Sequence, residues 1–276
     1  MGIHLYKHNE DAYRAVETML DEKQMAAVIH PTGTGKSMIA FKLIEKHPDG
    51  HFLWLSPSEY IYKTQLENID IQFSNVKYMS YSKLMKNEDY IDELEPDYII
   101  LDEFHRCGAA EWGKSVKKLL DAYPKAKRLG LSATNIRYLD NRRDMAEELF
   151  AGQVASRMEL TEAIAQGILP APVYICGMYD YRDELRKLSR RVRRQRGGVQ
   201  DNSTKLLNRL RHALEQADTP AELFGKYMKK NGKYIVFCSG REHMEKMIAM
   251  AGQWYGALDE QPTTYRAIYD NADSPQ

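Results

Sequence analysis

His30-Pro31-Thr32-Gly33-Thr34-Gly35-Lys36-Ser37 stands between an apolar run, Ala26-Ala27-Val28-Ile29, and a helical pattern, Ser37-Met38-Ile39-Ala40-Phe41-Lys42-Leu43-Ile44. A buried strand, a Gly-rich turn and a helix, in that order, form the setting a phosphate-binding loop requires. Glycine lets backbone N–H groups converge on phosphate oxygens without a Cβ in the way, and the helix N-terminus adds a dipole that favours anions. Pro31, Thr32, Gly33, Thr34, Gly35, Lys36 and Ser37 are therefore candidates for cradling phosphate. Lys36 would reach the β- and γ-phosphates and the Ser37 hydroxyl would hold Mg2+. His30 replaces the first Gly of the strict pattern, so the match is relaxed and an ordinary turn is the competing reading.

Working outward, residues 11–20 carry Tyr13, Val16 and Leu20 at helical spacing, just after Leu5-Tyr6-Lys7-His8-Asn9. Downstream, residues 46–50 read as a turn and residues 51–55 as a second strand that runs into Ser56-Pro57-Ser58. A helix through Ile61, Gln65 and Leu66 follows, then a third strand at residues 76–80 that leads into Tyr81-Ser82-Lys83-Leu84. Strands alternating with helices imply a parallel sheet whose ligand site lies at the carboxyl ends of the strands.

A second signal is Tyr98-Ile99-Ile100-Leu101 followed by Asp102-Glu103-Phe104-His105. An apolar strand ending in two acids places a carboxylate beside the phosphate loop. Asp102 suits a Mg2+ ligand, and Glu103 suits orienting or deprotonating an attacking water. Taken alone, the acids could merely cap the next segment. A helix around residues 112–123, with Val116, Leu119 and Leu120 on its core face, precedes another strand at residues 127–131. That strand ends in Ser132-Ala133-Thr134.

These three strand-end segments, in this order, resemble motifs I, II and III of the superfamily 2 helicases and translocases, over residues 5–160. The resemblance implies a RecA-like P-loop parallel sheet with helices on both faces over residues 1–160, with ATP and Mg2+ as cofactors. It also implies that DEFH, a DEAD variant, couples ATP hydrolysis to movement on nucleic acid. Lys36, Asp102, Glu103 and His105 would carry the chemistry, and His105 would link the ATP site to Ser132, Ala133 and Thr134. Leu55-Ser56-Pro57-Ser58 resembles segment Ia and Met79-Ser80-Tyr81-Ser82 segment Ib, so Ser56, Ser58 and Ser80 would touch a nucleic-acid backbone without reading sequence; plain turn residues are the alternative. Relatives usually have Gln where Asn9 stands, using it to recognise adenine, and many DNA-translocating relatives have Pro where Asn135 stands. Asp102-Glu103-Phe104-His105 with Arg106-Cys107-Gly108, and Ile136-Arg137-Tyr138-Leu139-Asp140 after motif III, resemble most the bacterial and phage helicases related to restriction-enzyme motor subunits.

Beyond Leu160 the composition changes. Residues 161–170 resemble the link that leaves the first lobe, and residues 173–176 read as a strand. Then Arg182, Arg186, Lys187, Arg190, Arg191, Arg193, Arg194, Arg196, Lys205, Arg209 and Arg211 crowd around two apolar stripes, Leu185-Leu188-Val192 and Leu206-Leu210-Leu214, separated by Gly197-Gly198. This pattern predicts a hairpin of two basic amphipathic helices within residues 161–230. Arg190, Arg191, Arg193 and Arg194 are its candidates for nucleic-acid phosphate; a solvated face or, more weakly, a membrane-surface helix competes. Residues 231–276 read as the start of a second RecA-like lobe, with a strand at residues 233–238 and a helix through Met244, Met247 and Ile248. The remainder of that lobe is expected beyond Gln276, along with the arginine motif that in relatives reaches the γ-phosphate. This stretch alone is thus expected to be a poor motor that exposes Ile235, Val236 and Phe237.

Of the 276 residues, 39 are basic and 39 acidic, so any attraction to nucleic acid or membrane must be local. Cys107, Cys176 and Cys238 are widely spaced, against a disulfide framework or zinc site. With no signal core and no apolar stretch of about 20 residues, a soluble cytoplasmic protein is expected. The reading is an ATP-dependent helicase or translocase that binds Mg-ATP and nucleic acid, DNA by preference, without a membrane partner. The motor part of a restriction-type nuclease and a non-hydrolysing ATP-gated clamp are the alternatives.

Overall fold

The computed structural model describes residues 2–67, 69, 71–137, 142–172, 182–194, 196–256 and 263–264. The chain divides into two compact units, Met1–Ala171 and Pro172–Gln276.

The first unit runs α1 (Lys7–Lys23), β1 (Met25–Ile29), α2 (Lys36–Lys46), β2 (Phe52–Ser56), α3 (Glu59–Glu67), β3 (Val76–Ser80), α4 (Tyr81–Lys86), β4 (Tyr98–Asp102), α5 (Ala110–Ala122), β5 (Lys127–Ser132), β6 (Ile136–Arg137), β7 (Arg143–Asp144), α6 (Met145–Phe150), β8 (Val154–Arg157) and α7 (Leu160–Ala165). Six strands form one parallel sheet in the order β3-β2-β4-β5-β1-β8, while β6 and β7 pair antiparallel outside it. This is the parallel α/β sheet that the alternation of strands and helices predicts, in the RecA-like form that the resemblance implies.

Successive strand residues point to opposite faces, and both faces are buried, so the central strands are apolar throughout. Leu53, Leu55, Ile99 and Leu101 pack with Phe104, Leu119 and Phe150 on one face. Trp54, Ile100, Val28 and Leu129 pack with Ile39, Phe41 and Leu43 on the other. Gly130 is required by this packing, because a Cβ there would lie 2.3 Å from the Phe150 ring and 2.9 Å from Phe104. The strand register brings the ends of β1, β4 and β5 level, pairing Ile29 with Ser132 and Asp102 with Leu131. The phosphate-type loop, the acidic pair and the Ser132 tripeptide therefore share one rim of the sheet.

The edge strand β8 has no counterpart in the sequence reading, and helix α1 extends the helical pattern read at residues 11–20. The edge strand β8 is short and only partly buried, so it lacks the apolar run that marks β1 and β4. Helix α1 begins at Lys7, which places Asn9 on the helix itself.

The second unit contains α8 (Arg182–Arg193) and α9 (Gly198–Glu215), which pack together as the expected hairpin, the chain reversing at Gly197 with φ 66°. It continues with α10 (Pro220–Tyr227) and α11 (Arg241–Gly256). Thr219 caps α10 reciprocally: its hydroxyl accepts from Glu222 N at 3.3 Å, and the Glu222 carboxylate accepts from Thr219 N at 2.7 Å. Phe224 of α10 packs against Trp254 and Tyr255 of α11.

The strand expected at residues 233–238 is not formed. Ile235 is 82% and Phe237 89% exposed, and the described residues of this unit contain no strand that could pair with the run. An apolar β-type pattern specifies a strand only when a neighbour accepts its backbone hydrogen bonds. The strand read at residues 173–176 lies outside the described residues.

Candidate functional site

The turn between β1 and α2 is held open by two glycines in left-handed conformations, Gly33 at φ 91° and Gly35 at φ 86°. A Cβ on Gly35 would also lie 2.6 Å from the Asn9 amide. Lys36 is buried, and its Nζ donates to the His30 carbonyl at 2.9 Å and the Pro31 carbonyl at 3.3 Å. Burial lowers its pKa, against the raising effect of the Glu103 and Asp102 charges. Thr34 is buried, its hydroxyl donating to Pro31 O at 2.8 Å; Thr32 and Gly33 are exposed, and Pro31 and Ser37 are half-buried.

Asn9, expected at an adenine, is fixed to the loop: Nδ2 donates to Thr34 O at 2.9 Å, while Oδ1 is buried without a partner. His30 explains how its ring is tolerated where the strict pattern has Gly. The side chain lies toward β8, with Nε2 2.8 Å from Ser156 Oγ and Nδ1 buried without a partner. Burial, with the Lys36 charge beside it, pushes its pKa down to about 4, so the ring is neutral.

Asp102 closes β4. Its carboxylate is buried, Oδ2 has no hydrogen-bond partner, and burial followed by the adjacent Glu103 charge pushes its pKa up to about 7. The next residue, Glu103, adopts a left-handed conformation at φ 52° and ψ 47°, which costs an L-residue about 1–2 kcal/mol. Its Oε2 lies 3.3 Å from His105 Nδ1 and accepts from Ser132 Oγ at 3.5 Å. Burial works to raise the Glu103 pKa, yet the His105 hydrogen bond and the Lys36 charge outweigh it and hold the group below its usual value.

His105 Nδ1 is 2.8 Å from Ser132 Oγ, which in turn accepts from Thr134 N at 3.3 Å, and the Ala133 backbone hydrogen-bonds Glu103. The acidic segment and the Ser132-Ala133-Thr134 tripeptide are thus joined directly. Asn135, where many relatives have Pro, is held by hydrogen bonds of its own. Its Nδ2 donates to Asp144 at 2.7 Å, its carbonyl accepts from Met145 N at 2.8 Å, and Arg157 donates to its Oδ1 at 3.3 Å.

The donor set fits Mg2+, a hard cation that takes a few protein oxygens together with phosphate and water. Asp102 Oδ2 is a buried acceptor that no protein group satisfies, and Ser37 lies in the first turn of α2. Two further residues reach Asp102, Tyr81 at the start of α4 and Gln65 on α3. Tyr81 donates its hydroxyl to the Asp102 carbonyl at 2.9 Å, and the Gln65 amide lies beside the carboxylate, favouring its ionised form.

The candidates for nucleic acid are placed differently. Ser56 is fully buried and its hydroxyl donates to Ser58 O at 2.7 Å, so it is committed to its own turn and is not presented to a strand. Ser58 is half-buried. Ser80 Oγ caps α4, accepting from Lys83 N at 3.2 Å. Arg190, Arg191, Arg193 and Arg194 belong to the other unit and are all exposed. Arg190 and Arg193 line a groove of about 380 Å³ between α8 and α9 with Arg186 and Arg211. Cys107 and Cys238 are free thiols, and Cys176 lies outside the described residues. Among the described residues no cluster of His, Cys, Asp or Glu could hold a metal by itself, and no helix is long and apolar enough to cross a membrane.

The family model of the type III restriction enzyme res subunit matches residues 2–90 and 58–137. Residues 2–137 are therefore similar in sequence to the res subunit of type III restriction enzymes. Among solved structures, the ATP-dependent type ISP restriction-modification enzyme LlaBIII bound to DNA is 16% identical with a TM-score of 0.56, covering 94% of this chain and 22% of its own. The Pyrococcus furiosus Hef helicase domain is 16% identical at a TM-score of 0.44, covering 64% of this chain and 45% of its own. The Sulfolobus solfataricus SWI2/SNF2 ATPase core domain is 14% identical at 0.42, covering 76% and 57%. The chain therefore spans 22% of the restriction-modification enzyme it resembles in fold. No curated protein sequence matches it.

The first unit carries two buried groups with opposite pH effects. His30, pushed from 6.5 to about 4, contributes stability that is fully present above pH 6.5 and is lost as pH falls toward 4. Asp102, pushed from 3.8 to about 7, contributes in the reverse sense: its stability is full below 3.8 and lost as pH rises through 7. His30→Asn removes only the first. Urea unfolding at a series of pH values should show the variant gaining on the wild type by up to ~1.4 kcal/mol per pH unit as the pH falls from 6.5 to 4. Parallel profiles would contradict the burial of a neutral His30.

Proposed function

We propose that this chain carries the nucleotide site of an ATP-dependent motor, a helicase or translocase that binds Mg-ATP and couples its hydrolysis to movement on nucleic acid, DNA by preference. The observation that carries this reading is the convergence of Lys36, Asp102 and Glu103 on one rim of the sheet, with His105 bonded onward to Ser132. In it, Lys36 exchanges the His30 and Pro31 carbonyls for β- and γ-phosphate oxygens. Ser37 and Asp102 hold Mg2+, which neutralises charge on the phosphates. Glu103, kept ionised by His105 and Lys36, orients the attacking water and accepts its proton. Asn9 Oδ1, the unpartnered acceptor, suits the exocyclic amine of adenine. His105, Ser132 and Thr134 transmit the state of the phosphate site.

Nucleic acid is assigned to the exposed arginines of α8, with Ser58 and Ser80 as further contacts at the sheet rim. Binding of DNA by the fold relative LlaBIII supports the choice of DNA, and the res-subunit match supports a restriction-type motor within the same class. A cytoplasmic setting accords with this chemistry.

Lys36→Ala should weaken Mg-ATP binding at least several-fold in titration calorimetry, because it removes the charge that meets the phosphates. Glu103→Gln should preserve that affinity and reduce turnover by about 10² or more. Loss of binding in the second variant with turnover per bound ATP retained would place the water-orienting role elsewhere.

Replacing Arg190, Arg191, Arg193 and Arg194 by Gln should weaken DNA binding alike across sequences. It should also flatten the dependence of log affinity on log salt by roughly 0.7 to 0.9 for each phosphate that the variant no longer neutralises. An unchanged slope would make α8 a solvated face.

A further inference from the structure

Two helices that follow the sheet-rim serines send a side chain to the same acid. Tyr81 is the first residue of α4, directly after Ser80, and its ring is completely buried against Trp112, with centroids 5.5 Å apart. Its hydroxyl donates to the Asp102 carbonyl at 2.9 Å, and the Cys107 thiol lies against the same hydroxyl. Gln65, on α3 after Ser58, places its amide beside the Asp102 carboxylate, and its own Oε1 is buried without a partner.

We propose that Tyr81 and Gln65 are positioning residues for the Mg2+ ligand, Tyr81 fixing Asp102 at its carbonyl and Gln65 at its carboxylate. The inference rests on the nucleotide-site reading and adds to it the groups that aim the ligand. Asp102 is the last paired residue of β4 and is followed at once by Glu103 in its left-handed conformation. Such a turn keeps its geometry only when its surroundings over-determine it, and the sheet ladder ends at this point. Packing alone would be served by Phe at position 81; the hydroxyl adds a buried hydrogen bond to the Asp102 carbonyl that Phe would forfeit. With Oδ2 unpartnered, the carboxylate is met by the Glu103 backbone N–H and by the Gln65 amide, and Gln65 is the side chain among these contacts that limits which way it faces. Through Tyr81 the segment 79–82 is also hydrogen-bonded to Asp102.

The test compares the affinity of a non-hydrolysable ATP analogue in EDTA and in Mg2+, by titration calorimetry on the full chain. The ratio of the two affinities reads the metal ligand apart from the phosphate loop. Wild type should bind more tightly with Mg2+. Tyr81→Phe should keep the metal-free affinity within about twofold and lose about tenfold of the metal-dependent gain, the effect of one unsatisfied buried hydrogen bond. Gln65→Leu, which spares the aromatic core, should show the same pattern and serves if Tyr81→Phe melts too early to assay. An undiminished gain in the variant that folds would overturn the inference, as would an equal loss with and without metal, the mark of a merely loosened fold. A wild type that binds no analogue would instead reject the nucleotide site itself.

Discussion

The Lys36 ammonium and the Asp102 carboxylate are held out of water on one rim of the sheet, and the protein leaves both incompletely compensated. Lys36 is met by two backbone carbonyls instead of a carboxylate, and Asp102 Oδ2 is met by nothing. Burying charge in this way costs several kcal/mol per ion unless a partner offsets it. Phosphate and a divalent cation are together the partners that would. The surrounding features follow from keeping these two groups in place: glycines at positive φ, the strained Glu103, the buried His30 turned toward β8, and the Tyr81 hydroxyl under Asp102.

The parts of this site that a sequence shows are those made of adjacent residues. A strand, a Gly-rich turn and a helix lie within residues 25–46, and the acidic pair directly follows four apolar residues, so periodicity and spacing are enough to find them. The His105 link to Ser132 is reachable only through resemblance, since 27 positions separate the two. Tyr81 and Gln65 are not reachable at all. Their roles depend on where α4 and α3 end up relative to β4, and a buried Tyr or a helical Gln carries no local sign of the acid it will meet.

The two misplacements have related causes. Residue type and position suggest a backbone contact for Ser56 and a strand for Ile235-Val236-Phe237, whereas the state of each depends on which partner claims its polar groups. Ser56 uses its hydroxyl to close its own turn onto Ser58 O. The 233–238 run has no strand beside it among the described residues, so its β propensity has no ladder to join. By contrast, the basic hairpin is legible because a helix satisfies its own backbone, and α8 and α9 pack against one another.

The central claim is that the buried Lys36 and Asp102 are completed by one Mg-nucleotide. A crystal structure of the chain with a non-hydrolysable ATP analogue and Mn2+, the metal located by its anomalous signal, tests this most directly. The account predicts that Lys36 Nζ leaves the His30 and Pro31 carbonyls for phosphate oxygens while the metal lies on the Ser37 and Asp102 side, with Tyr81 still bonded to the Asp102 carbonyl. Nucleotide bound elsewhere, with Lys36 still on those carbonyls and no metal near Asp102, would contradict it.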